Sequence, residues 1–390
     1  MNLAIALLTF VGGVFATKIL EYYGINLFQK SQKFILDFKK AQRLKCRDKI
    51  KLDNWLVEYY TKNKLEPYLY YATIGKTTKC IPFITKDIWH DKSIRENFKL
   101  TLSEPLIISN LKVDLNLINR RKRLGHELWN GSLFSLNKII EREGSVELII
   151  GLCDYYQYLS TSGKLEDESL RLKSSIRKKY FTSIKQISNC SMDVHGIGMN
   201  CLIAINAGDT YKFLMQKRTH KTVSNGGKYA TIPAFAFQPI NEDYKNEVNF
   251  KHQILREYFE ELHDREELIL RNKHLTYNWF YKHPPIQRLL KLIDNGKLEI
   301  IPLGFGFDAL NAEPNIVFLL IFNDEDFWIE EKAEIIFNWE VDSIKEIDYK
   351  DDILENMLKE GICHYASIFA ISESIKYLDN QKSVRAKIIE

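Results

Sequence analysis

The most constraining feature of this sequence is a short acidic segment with helical spacing. Glu257, Glu260 and Glu261 fall on one face of an α-helix, because one helical turn takes about 3.6 residues. The other side of that helix carries apolar residues that can pack on a core: Leu255, Tyr258, Phe259 and Leu262. Carboxylates this close repel one another, and a hard divalent cation such as Mg²⁺ relieves that repulsion. A solvated acidic face has the same spacing, so the segment alone predicts either a metal site or an exposed helix.

Length and composition limit the classes of protein to which the chain can belong. A chain of 390 residues predicts two or three domains, and 45% hydrophobic residues with 12% aromatic residues suffice for a sizeable core. The net charge of +4 is too close to balance to predict a nucleic-acid polymer as partner. The six cysteines include no CxxC pair, which favours reduced thiols over a disulfide framework or a zinc site.

The first 20 residues predict a single transmembrane anchor. No charged side chain occurs in residues 2–17, and with Ile19 and Leu20 the apolar run approaches the length that crosses a bilayer. The apolar side chains expected to face lipid include Leu3, Leu8, Phe10, Val14 and Leu20. A cleaved signal peptide is disfavoured, because the positive charges follow the apolar run instead of preceding it. A short buried or surface-lying helix stays open as an alternative.

A basic segment follows the predicted anchor at residues 21–50. Nine Lys and Arg side chains but only two Asp side chains lie between residues 30 and 51. Positive residues stay on the cytoplasmic side of a membrane, so this asymmetry predicts an N-terminus outside and a cytoplasmic C-terminal domain. Apolar residues at near-helical spacing predict an amphipathic juxtamembrane helix on membrane lipid, although a linker helix packed on the protein has the same pattern. Gly12 and Ala16 are spaced as in membrane helices that self-associate, which indicates a homo-oligomer.

Residues 51–190 predict a mixed α+β region whose role the sequence does not indicate. Apolar runs at residues 106–113 and 147–152 predict strands, and the second run leads into a helix that begins near Asp154. The basic run at residues 120–123 predicts a solvated surface, with contact to a phosphate or a lipid headgroup as the alternative.

Residues 191–390 have the sharpest pattern of secondary structure. Two apolar runs at residues 201–205 and 211–215 enclose a turn that contains Gly208, which predicts two strands joined by that turn. Further elements are predicted at residues 229–239, from 249 through the acidic segment, and at 316–322. Strands around one acidic helix, with helices at the end, predict an α/β (α+β) domain built as an α/β/α sandwich.

Four motifs follow one another in this C-terminal region. They are Lys217-Arg218 at a strand end, a glycine turn, Pro-Ala-x-x-Phe-Gln-Pro from Pro233, and Arg-Glu-x-x-Glu-Glu-Leu from Arg256. Over about residues 193–374 the chain thereby resembles a Nudix hydrolase domain. The resemblance implies that Glu257, Glu260 and Glu261 hold a catalytic Mg²⁺ or Mn²⁺ ion and that Arg256 orients them. Lys217 and Arg218, at the strand end near the implied cleft, are candidate contacts for the phosphate groups of a ligand, and a surface pair without such a role is the alternative.

The match to the Nudix pattern GX5EX7REUXEEXGU has several departures. Val248 stands where the pattern has glutamate, with Glu247 one residue away, and His263 stands where the pattern has glycine. Loss of small residues where backbone approaches a ligand argues against fast hydrolysis, while three intact glutamates leave hydrolysis open. Asp308 and Glu313 are candidates for a further carboxylate of the site and, more simply, for loop caps.

The order of anchor, basic segment, middle region and Nudix-like domain resembles the membrane-anchored Nudix effectors of bacterial CBASS antiphage systems. That resemblance implies a domain that senses a cyclic nucleotide and a transmembrane segment that disrupts the inner membrane when the protein oligomerises. The residues also leave open a membrane-tethered hydrolase that cleaves a nucleoside diphosphate derivative with Mg²⁺.

Overall fold

The computed structural model describes residues 49–123, 128–192, 194–219, 227–263, 276–336 and 341–389. The anchor predicted at residues 1–20 and almost all of the basic segment at 21–50 lie outside these ranges. Within them, no helix combines the length and the apolar character that a membrane crossing requires.

The part of the chain before residue 190 contributes short helices and five strands. Its helices are α1 (Lys49–Lys62), α2 (Ile94–Asn97), α3 (Leu115–Arg123), α4 (Tyr155–Tyr158), α5 (Lys164–Ser169), α6 (Ser175–Tyr180) and α7 (Ile184–Ser188). Its strands are β1 (Leu69–Ile74), β2 (Thr77–Ile84), β3 (Phe98–Leu102), β4 (Ser132–Arg142) and β5 (Ser145–Asp154).

The part after residue 190 contributes the longest strands and helices. Its strands are β6 (Gly198–Ala207), β7 (Thr210–Arg218), β8 (Tyr229–Thr231), β9 (Ala234–Ala236), β10 (Leu298–Asp308), β11 (Pro314–Phe322) and β12 (Val341–Asp348). Its helices are α8 (Tyr244–Glu247), α9 (Phe250–Leu262), α10 (Pro284–Asp294), α11 (Glu325–Glu334), α12 (Asp352–Glu360) and α13 (Tyr365–Ile389). The fold is therefore mixed α+β, as the sequence predicts.

Nine of the described strands form one sheet in the order β1, β2, β10, β11, β6, β7, β12, with β8 beside β7 and β9 beside β6. The central pair, β6 and β11, is parallel, and the flanking pairs are antiparallel. All nine residues of β11 are buried, as are the first eight of β6. Strands buried on both faces read as continuous apolar runs, which is why the sequence reveals β11 so clearly.

Helices cover both faces of this sheet. On β6, the side chain of Asn200 accepts a hydrogen bond from Ser367 of α13 at 3.5 Å. At the next residue, burial and then the carboxylates of Glu261 and Glu257 on α9 raise the pKa of Cys201. Because successive strand residues point to opposite faces, α13 and α9 lie on opposite sides of the sheet.

Strands from both sides of the predicted boundary at residue 190 share this sheet. Strand β2 pairs with the end of β10, where Phe83 lies opposite Asp308. Strands β3, β5 and β4 form a second, three-stranded sheet, and the amide of Leu136 on β4 donates to the carbonyl of His195 at 2.9 Å. One hydrophobic core runs through residues of both halves. The predicted ranges 51–190 and 191–390 thus meet within shared hydrogen bonds and a shared core.

Most of the predicted elements are confirmed. The strands at 147–152, 201–205, 211–215 and 316–322 form, and Gly208 takes φ +73° in the turn that joins β6 to β7. The helix predicted near Asp154 begins at the next residue. The strand predicted at 106–113 is wrong, because there only Ile108 forms a single bridge, to Leu152.

The basic run at residues 120–123 is not wholly solvated. Arg121 is only 1% exposed, and its guanidinium donates to the carbonyl of Gly163 at 3.0 Å and to Glu166 at 3.3 Å. The other three side chains of the run are exposed. The prediction fails at Arg121 because its carboxylate partner lies more than 40 residues away in the sequence.

Candidate functional site

The acidic helix α9 forms where the sequence places it. Asn249 precedes it with an extended backbone, and the Asn249 side chain accepts a hydrogen bond from the amide of His252 at 3.0 Å. Such an N-cap satisfies an amide that the first helical turn leaves without a partner. From His252 to Leu262 every residue of the helix is buried.

The acidic face of α9 is inside the protein. Glu257, Glu260 and Glu261 are only 6%, 3% and 5% exposed. The interpretation of this helix as having a solvated acidic face is therefore wrong. Buried carboxylates need compensating donors, and the neighbouring side chains and backbone supply them.

Arg256 is the main compensating charge. It is fully buried, donates to Glu257 at 2.9 Å, and its Nε lies 3.7 Å from Glu260. It also donates to the carbonyl of Gln238 at 3.0 Å. Burial opposes the charge on Arg256, but the nearby carboxylates outweigh it and raise the pKa of the guanidinium. The role that the Nudix resemblance implies for this arginine, orienting the glutamates, stays a prediction.

Glu247 joins the same network, although the sequence pattern places a glutamate one residue later. Its side chain is fully buried, and it accepts from Arg256 at 3.3 Å, from Gln253 at 3.0 Å and from the amide of Ile240 at 3.2 Å. Glu247 is the last residue of α8, and Val248 leaves the helical conformation there. Across the irregular backbone between α8 and α9, Glu247 reaches Arg256 from outside the acidic helix.

The loop between β8 and β9 approaches the end of the acidic helix. The amide of Ala234 donates to Glu261 at 3.1 Å, and the carbonyl of Ala234 accepts from Arg218 at 3.2 Å. Gln216 also lies 3.5 Å from Glu261. The Pro-Ala segment and the acidic helix, which the sequence selects separately, therefore meet at one residue. Arg218 lies beside this meeting point, whereas Lys217 is the neighbouring, partly exposed residue of β7.

A second polar cluster at the C-terminal end of α9 was not predicted. Glu331 on α11 is buried and accepts from Tyr258 at 3.0 Å, from Arg288 at 3.0 Å and from His263 at 2.8 Å. Burial raises the pKa of the Glu331 carboxyl, but these donors outweigh burial and hold it below its usual value. Tyr258 and His263 stand at the positions where the Nudix pattern has an aliphatic residue and a glycine. Their polar atoms both contact Glu331, and no pattern in the sequence around Glu331 identifies it as their partner.

The two downstream carboxylates lie at the turn between β10 and β11. Asp308 accepts from the amide of Leu310 at 2.7 Å, which is a loop cap, and lies 3.1 Å from His364. Glu313 accepts from the hydroxyl of Tyr158 and from Asn311, and burial raises its pKa to about 7. Both carboxylates accept hydrogen bonds within the turn, and both also contact residues of neighbouring elements.

The carboxylate chemistry of the acidic face suits Mg²⁺ or Mn²⁺. The oxygens of Glu257 and Glu261 accept from Arg256, from the amide of Ala234 and from Gln216. Among the side chains that the structure describes, no group of three or more His, Cys, Asp or Glu residues could hold a metal ion. Metal binding by Glu257, Glu260 and Glu261 stays a prediction.

No family model and no curated protein matches this chain.

Proposed function

We propose that the protein is a membrane-anchored effector of a CBASS antiphage system. Its Nudix-like domain, over about residues 193–374, senses a cyclic nucleotide and does not depend on hydrolysing it. The observation that carries this proposal is the burial of Glu257, Glu260 and Glu261: Glu257 and Glu261 accept hydrogen bonds from the protein itself, and Glu260 lies 3.7 Å from Arg256. A helix whose carboxylates already have partners suits a rigid recognition scaffold better than a site that must bind and release metal.

The arrangement around α9 supports the Nudix part of the proposal. The acidic helix lies on one face of a mixed sheet and α13 lies on the other, which is compatible with an α/β/α sandwich. The Pro-Ala segment contacts Glu261 through the amide of Ala234 at 3.1 Å. Arg218 places a guanidinium beside that segment, and a guanidinium can form two hydrogen bonds with one phosphate group.

The membrane part of the proposal is based on the sequence. The apolar run at residues 1–20 anchors the chain in the inner membrane, with the N-terminus outside and the basic segment on the cytoplasmic side. Ligand binding promotes assembly of copies of the chain, and the assembled anchors disrupt the membrane. Binding shifts such an equilibrium only as far as the ligand prefers the assembled form.

The test measures binding and hydrolysis on the same full-length chain, purified in detergent. Calorimetry with a panel of cyclic di- and trinucleotides is expected to find a saturable ligand, and chromatography is expected to find that ligand unchanged after incubation with Mg²⁺. Hydrolysis of a nucleoside diphosphate derivative that Glu260→Gln with Glu261→Gln abolishes would instead support the membrane-tethered hydrolase. The control is Glu325→Gln with Glu330→Gln, which removes the same charge from exposed positions on α11.

A second arm separates sensing from membrane damage. Deletion of residues 3–20 is expected to abolish ligand-induced cell death and to leave nucleotide binding intact. If cells expressing the truncated chain still die when the ligand is present, the anchor is not the effector and the proposal fails.

A further inference from the structure

A polar cavity of about 450 Å³ lies before residue 190, away from the residues of the acidic helix. Four cationic side chains line it, together with two apolar ones: Arg120, Lys164, Arg171, Lys173, Leu117 and Ile176. The cavity lies between α3, α5 and the first turn of α6. Its volume is within the range of small-molecule sites, which combine apolar surface with a few polar groups.

The acidic side chains in the lining already have partners within the protein. Asp114 lies 2.8 Å from Lys164, and the pKa of Asp114 is lowered by its hydrogen bonds to Lys164 and to the amide of Leu117. Asp167 forms ion pairs with Arg120 and, from outside the lining, with the buried Arg121.

Glu168, the third acid of the lining, accepts hydrogen bonds from residues at the start of α6. It accepts from the hydroxyl of Ser175 at 2.6 Å and from the amides of Ile176 at 2.6 Å and Arg177 at 3.2 Å. Two of the three carboxylates are thus neutralised by ion pairs, whereas Glu168 keeps its negative charge and has its oxygens hydrogen-bonded to the start of α6.

Arg171 and Lys173 differ from the other two cations. Both are exposed, and in the described part of the chain neither side chain has an ion pair or a hydrogen bond. Leu172 between them takes φ +54° and packs against the hydrophobic core. This packing holds in place the turn that carries the two cations. The lining holds four cations and three acids, which leaves one positive charge in excess.

We propose that this cavity binds a phosphate-bearing small molecule of nucleotide size. Arg171 and Lys173 contact the phosphate group, and Leu117 and Ile176 contact the apolar part of the ligand. This site shares no residue with the acidic helix, so it does not depend on the function proposed above.

The test uses adenosine monophosphate as the probe and adenosine as its uncharged counterpart, titrated into the full-length chain in detergent. Saturable binding of the monophosphate is expected. The affinity for adenosine is expected to be lower by about tenfold or more, because adenosine lacks the charged group. Arg171→Ala with Lys173→Ala is expected to lower the affinity for the monophosphate by a similar factor. The charge-retaining pair, Arg171→Lys with Lys173→Arg, is expected to keep most of the affinity.

The matched control removes two cations outside the cavity. Lys178→Ala with Lys185→Ala changes two exposed lysines and is expected to change affinity by no more than about twofold. The proposal is overturned if millimolar monophosphate shows no saturable binding, or if the Arg171 and Lys173 double variant binds like the unmodified chain. Binding that disappears in Glu260→Gln with Glu261→Gln and survives in the cavity variant would place the nucleotide at α9 and overturn it as well.

Discussion

Arg256 holds several buried carboxylates at once. It lies 3.3 Å from Glu247 and 2.9 Å from Glu257, and both carboxylates are buried. Breaking a buried ion pair by removing one partner leaves an uncompensated charge, which costs far more than losing an exposed pair. The stability of the α9 region should therefore depend strongly on this one guanidinium.

Arg256→Ala is expected to lower the free energy of unfolding by about 3–5 kcal/mol, because Glu247 and Glu257 lose their buried cation. Urea denaturation followed by circular dichroism measures the change. Lys251→Ala, on the first turn of the same helix and without an ion pair in the described structure, is expected to stay within about 0.5 kcal/mol of the unmodified chain. Similar losses for the two variants would contradict the role assigned to Arg256.

At the scale of elements, the start of α9 depends on Asn249. Its side-chain oxygen accepts from the amide of His252 at 3.0 Å, and its extended backbone ends the irregular link from α8. That link also brings Glu247 into contact with Arg256 of α9. The cap therefore helps to position the carboxylates around Arg256. The helix is a local feature that the sequence predicts, and the structure adds the cap.

Asn249→Ala is expected to destabilise the protein by about 1 kcal/mol, because the first turn of α9 loses its side-chain acceptor. Asn249→Asp keeps an acceptor at that position and is expected to lie close to the unmodified chain. Equilibrium unfolding in urea compares the two variants. Equal destabilisation by alanine and aspartate would show that the cap does not stabilise the helix.

At the scale of the whole molecule, one sheet joins the two halves of the chain. Phe83 on β2 is fully buried, and its ring centroid lies 4.8 Å from that of Phe369 on α13. Strands β1 and β2 come before residue 190, while β10 and α13, which they contact, come after it. The two parts should therefore unfold together.

Phe83→Ala is expected to destabilise the protein by about 3–5 kcal/mol, because it opens a cavity between β2 and α13. Far-ultraviolet circular dichroism and tryptophan fluorescence should still report one transition, shifted to lower urea. Tyr71→Ala serves as the control, because Tyr71 lies in the adjacent strand and is 50% exposed. It should lower the free energy of unfolding by less than Phe83→Ala does. Two separated transitions, with only one of them shifted, would show that the halves unfold independently.

Local features follow from the sequence alone: helix α9, the β6–β7 hairpin with Gly208, and the apolar strand β11. These follow from periodicity and turn chemistry, which act over a few residues. The sequence also selected the acidic side chains of α9 as the candidate site.

Only the tertiary structure decided whether those side chains face water or protein. Their burial depends on partners distant in sequence, such as the amide of Ala234 and the side chain of Gln216 for Glu261. The addition of β1 and β2 to the sheet likewise depends on pairing with β10, more than 200 residues later. Spacing along the chain does not encode such contacts, because they arise from packing between elements that hydrophobic burial brings together.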